Sequence, residues 1–146
     1  MAYIVIPIPG GGTTLDDRPV VQVVSERNQM VKLIIKYKSC HSDEGPRFGE
    51  LTFTPVFQYR WTYDEVDYNE FESDAEDYEF GGLIEIIDSA YLADILAKTE
   101  KYHGQQGFIA YKKFYNIRHF RLGFDEYGVF DIVAADVLVR EIDLSA

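Results

Sequence analysis

The chain has 146 residues, 25 acids against 14 bases and a net charge of −11, with 47% hydrophobic and 15% aromatic residues. That length suits one domain with a continuous core, and the aromatic content excludes global disorder. A pI near 4.6 argues against nucleic acid and anionic membranes as ligands, since both are bound through lysine and arginine.

Tyr3–Ile8 is apolar and β-branched, and Pro7, Pro9 and Gly10–Gly12 break it. Met1–Tyr3 carries no charged side chain, so a secretory n-region is not expected, and no apolar stretch is long enough to span a bilayer. A cytoplasmic protein is the resulting expectation. Gly10-Gly11-Gly12-Thr13-Thr14 is similar to a phosphate loop but lacks the lysine and the following helix, so it reads as a turn. Pro19–Ser25 and Met30–Lys38 read as two strands of a hairpin. In the second, Val31, Leu33, Ile35 and Tyr37 share one face, and Lys32, Lys36 and Lys38 share the other with Ile34.

Ser39–Arg47 is a polar loop holding the single cysteine, Cys40, so no internal disulfide can form. Cys40-His41 has no second ligand pair at zinc spacing, and His103 and His119 stand apart from it. Phe48 to Tyr63 reads as a long strand or a bent pair, with Leu51, Phe53, Phe57, Tyr59, Trp61 and Tyr63 on the odd positions. Pro55 cannot donate to a ladder and marks a bulge or an edge position there.

Nine acids then fall between Asp64 and Glu79 with no lysine or arginine, leaving 16 acids against 14 bases in the other 130 residues. Such a block is commonly a solvated loop. Here Tyr63, Val66, Tyr68, Phe71, Tyr78 and Phe80 are threaded through it. Aromatic anchors inside a charged rim are the ingredients of an interface with a basic protein. The candidate partner-binding residues are Trp61, Tyr63, Asp64, Asp67, Tyr68, Glu70, Phe71, Glu72, Asp74 and Tyr78. A calcium loop starting at Asp67 fails, because Phe71 and Glu72 stand where a ligand and a glycine are required. No cofactor and no metal are expected.

Leu83–Ile87 reads as a short strand, and a helix is predicted over about 88–102, capped by Asp88 or Ser89, with Leu92, Ile95 and Leu96 as its apolar stripe. In Tyr115–Phe124, Phe120, Leu122 and Phe124 point one way and His119 and Arg121 the other. Asp125-Glu126-Tyr127-Gly128 is a turn, Val129–Ala135 returns, and Asp136–Leu144 continues as another strand after a kink. His119 can pair with Asp131 across this hairpin beside Arg118 and Arg121. The simplest reading of these groups is a polar outer face with cross-strand charge pairs. No serine or cysteine has a nucleophile's local context. The expected architecture is one α+β domain over 1–146, a curved, mostly antiparallel sheet with one principal helix and an acidic segment at 64–79.

The stretch Ile117-Arg118-His119-Phe120-Arg121-Leu122-Gly123-Phe124-Asp125-Glu126-Tyr127-Gly128-Val129-Phe130-Asp131-Ile132-Val133-Ala134, preceded by a strand and a helix opening Ser89-Ala90-Tyr91-Leu92, resembles the C-terminal hairpin of small acidic bacterial proteins. Some of these are similar to immunity proteins of polymorphic toxin systems. The resemblance runs from Leu83 onward and carries no catalytic residue with it. It implies a protein that binds and blocks a cognate toxin, often a basic nuclease. Two functions are therefore in view. One is a non-enzymatic, immunity-like protein docking a basic partner. The other is a small enzyme or ligand-binding protein using His119, Arg121 and Asp131. Strand edges and 11 tyrosines are also compatible with a homodimer.

Overall fold

The structure, a computed structural model, describes residues 2–11, 15, 18–25, 31–39, 45–62, 82–101, 116–124 and 127–143. Among the described residues seven strands lie in one sheet: β1 (Ala2–Ile6), β2 (Val20–Ser25), β3 (Val31–Ser39), β4 (Arg47–Thr62), β5 (Gly82–Ile87), β6 (Arg118–Phe124) and β7 (Gly128–Ile142). Their order is β1-β5-β6-β7-β4-β3-β2 and every pairing is antiparallel. Among the described residues one helix, α1 (90–101), joins the sheet to make an α+β fold, as the sequence led us to expect. Asp136 onward is not a separate strand, because β7 runs unbroken from Gly128 to Ile142.

Alternation builds the core. Leu33, Ile35 and Tyr37 of β3 lie beside Leu51 and Phe53 of β4, and they meet Phe120, Leu122 and Phe124 of β6 and Phe130, Ile132 and Ala134 of β7. Phe53 and Phe120 come within 5.5 Å between ring centres although β7 lies between their strands, so the sheet curls around this face. Leu15 is fully buried in the same cluster, and Ile6 and Ile8 pack against it.

Pro55 marks a disruption, though not an edge. β4 is a central strand between β3 and β7, and its register to β7 shifts between Val56 and Gln58. Core-facing positions pass from Phe53 to Val56 in β4 and from Val137 to Ala134 in β7, three residues in each strand. Both strands change phase there, and the bulge in β4 then restores its odd positions, with Tyr59 and Trp61 opposite Ile132 and Phe130, so the expected alternation is interrupted at Val56 and resumes beyond it.

The turn after β1 is tied to the sheet. The Tyr37 hydroxyl donates to Pro9 O at 2.6 Å and the Ser39 hydroxyl to Gly10 O at 3.1 Å, while Gly11 N–H closes on Ile8 O at 2.9 Å. Gly10 supplies the positive φ of 69° this turn needs. Burial pushes the Tyr37 phenol well above its ordinary range. Gly12, Thr13 and Thr14 lie outside the described residues.

Candidate functional site

The face of the sheet opposite the main core is apolar at Ile84 and Ile86, which pack with Tyr3. On β6 and β7 it is polar instead. Arg121 stands directly opposite Asp131, with His119 one step along on the same face. The expected polar face with a cross-strand charge pair is present, but it is not an outer face: His119 is 0% exposed, and Arg121 and Asp131 are buried with it. The first turn of α1 is the reason. Tyr91 lies against the His119 ring at 4.9 Å, and the Arg60 guanidinium lies 4.5 Å over Tyr91.

These groups form a continuous hydrogen-bonded chain. Asp131 Oδ1 receives His119 Nε2 at 2.7 Å and Arg121 Nε at 2.8 Å, and Arg60 reaches Oδ2 at 3.4 Å. His119 Nδ1 sits 2.6 Å from Ser89 Oγ, and that oxygen also accepts the Leu92 N–H at 2.9 Å. A carboxylate only accepts, so His119 holds its proton on Nε2. The Ser89 hydroxyl, already an acceptor at the helix cap, is then free to donate to Nδ1. Burial pushes the Asp131 carboxyl up, but the His119 hydrogen bond and the Arg121 charge outweigh it and hold it down at about 2.

Ser89 has the hydrogen-bonding sequence of a nucleophile, a histidine and a carboxylate, and sequence reasoning saw it only as a helix cap. The pairing of Ile86 with His119 is what brings the end of β5 to the imidazole. A nucleophile, however, must present its oxygen to a substrate. Ser89 is 6% exposed and His119 is sealed behind it. Chemically the chain fixes the N-terminus of α1 to the sheet.

Comparison with protein-family models, curated proteins and solved structures finds no match. The site must be read from its own chemistry.

Of the sequence-derived partner-binding residues, Trp61 is described. Tyr63, Asp64, Asp67, Tyr68, Glu70, Phe71, Glu72, Asp74 and Tyr78 lie outside the described residues, as do Cys40, His41 and His103. Trp61 is 44% exposed and Tyr59, two residues before it on the same face, is 42% exposed. Trp61 leans on Tyr127 at 5.5 Å, and Arg18 lies 5.7 Å over the other partner of this pair, the Tyr127 ring. Gly128, at φ 129°, allows the approach, because a side-chain carbon there would run into Thr62 O and the Trp61 indole nitrogen. Among the described residues no group of three His, Cys, Asp or Glu is placed to hold a metal, and no helix is long and apolar enough to cross a membrane.

Proposed function

We propose that this is a non-enzymatic, immunity-like binding protein of the cytoplasm that docks a basic partner protein, with a toxin as the kind of partner the resemblance implies. The observation that carries the reading is the exposed pair Tyr59 and Trp61, set where β4 leads into the nine-acid segment. Large aromatic groups are the side chains whose burial most often dominates protein interfaces. Concentrated carboxylates beside them would steer a cationic protein and raise its on-rate, while ring burial would slow its release.

The test is capture from the native host at low and high salt, on the wild-type protein and on a variant carrying Asp67→Asn, Glu70→Gln, Glu72→Gln and Asp74→Asn. A basic protein retained by the wild type at low salt and lost from the variant supports the reading. Equal retention by both, or none by either, overturns it.

The Ser89–His119–Asp131 chain favours a second reading, a small enzyme or ligand-binding protein using His119, Arg121 and Asp131. Its burial and the capping role of Ser89 weigh against it. Under the binding reading, Ser89→Ala lowers stability and leaves partner affinity unchanged. A folded Ser89→Ala protein that had lost its activity in the host would favour the second reading.

A further inference from the structure

Among the described residues β2 ends the sheet, and its six residues carry no charge: Val20, Val21, Gln22, Val23, Val24 and Ser25. Val20 is 65% exposed and Val23 49%. An edge strand usually discourages pairing with a lysine, a proline or a bulge. None occurs within β2, and its pairing to β3 is regular throughout.

The strand is also a palindrome. Val20-Val21-Gln22-Val23-Val24 reads the same in both directions about Gln22. Opposite residues of an antiparallel pair share a face, and a two-fold axis normal to the sheet preserves that face. Self-pairing about Gln22 therefore sets Val20 against Val24, Val21 against Val23 and Gln22 against Gln22. Val21 and Val23 stand beside Ile35 and Leu33, so their pairs would extend the core face, and Gln22 beside Ile34 would lie on the outer face. β1, the other edge, lacks this symmetry, since pairing about Ile4 sets Tyr3 against Val5.

We infer that β2 is a self-association edge, joining two copies of this chain through an antiparallel β2–β2 ladder centred on Gln22. Two copies with a net charge of −11 each repel, and an uncharged strand is where they can meet closely. The flanking outer-face groups on β3 are Lys32 and Lys36, which oppose that negative charge. The contact is isologous and uses both edges at once, so it closes as a dimer instead of growing into a filament.

Sedimentation velocity over a concentration series tests this. The wild type is expected at twice its 16.8 kDa chain mass. Gln22→Lys places two ammonium groups at the dyad and is expected to weaken association by about 100-fold. Leu138→Lys, at an exposed outer-face position on β7, is expected to leave the dimer intact. Circular dichroism confirms that both variants fold. In a Cys40→Ser background, Gln22→Cys should oxidise to a linked dimer. Val20→Cys should not, because register places it roughly 13 Å from its own copy, beyond disulfide reach. A wild-type monomer throughout, a dimer insensitive to Gln22→Lys, or linkage through Val20→Cys alone would overturn the inference.

Discussion

The chemistry that stabilises this molecule is most concentrated at Asp131, where one carboxylate receives His119, Arg121 and Arg60. Its depressed pKa has a pH consequence. The folded group loses its charge at about 2 and the unfolded one near its ordinary value of 3.8. The carboxylate's contribution is thus present above 3.8 and is lost as pH falls through about 2. Urea midpoints measured from pH 6 to pH 2 should fall more steeply for the wild type than for Asp131→Asn, and parallel curves would count against this role. Ser89→Ala removes both a helix cap and the Nδ1 partner, and should cost about 1–3 kcal/mol in the same unfolding measurement at neutral pH. The His119–Asp131 pair was legible because hairpin register follows from alternation. Their burial was not, because nothing local to β6 or β7 announces that the first turn of α1 covers them.

Among the elements, β3 was the most readable, since its strict alternation gave both faces before any contact was known. β4 was readable on both sides of its disruption but not through it. A proline forbids a regular ladder, yet it does not say where the bulge falls, and the matching shift in β7 depends on a partner distant in sequence. The β3–β4 pair also explains Gly49. It stands opposite Tyr37, and a side-chain carbon there would enter the tyrosine ring, whose hydroxyl is engaged with Pro9. Gly49→Ala should therefore destabilise the fold by about 1–3 kcal/mol. A thermal melt shows it directly, and an unchanged midpoint would mean that Tyr37 relocates freely.

For the whole molecule, fold class followed from composition and element pattern, whereas strand order did not. The central β7–β4 pairing brings together segments far apart in the chain, and local signals do not encode it. Charge was legible as a quantity and a location, because counting residues suffices for both. The aromatic pair at Tyr59 and Trp61 gives that location a described surface beside it. The most direct measurement is the association rate of the captured basic partner at several ionic strengths, for the wild type and for the variant with Asp67, Glu70, Glu72 and Asp74 neutralised. The account predicts a wild-type rate that falls with salt, and a variant rate that is slower and nearly flat. Equal rates with the same salt dependence would contradict it.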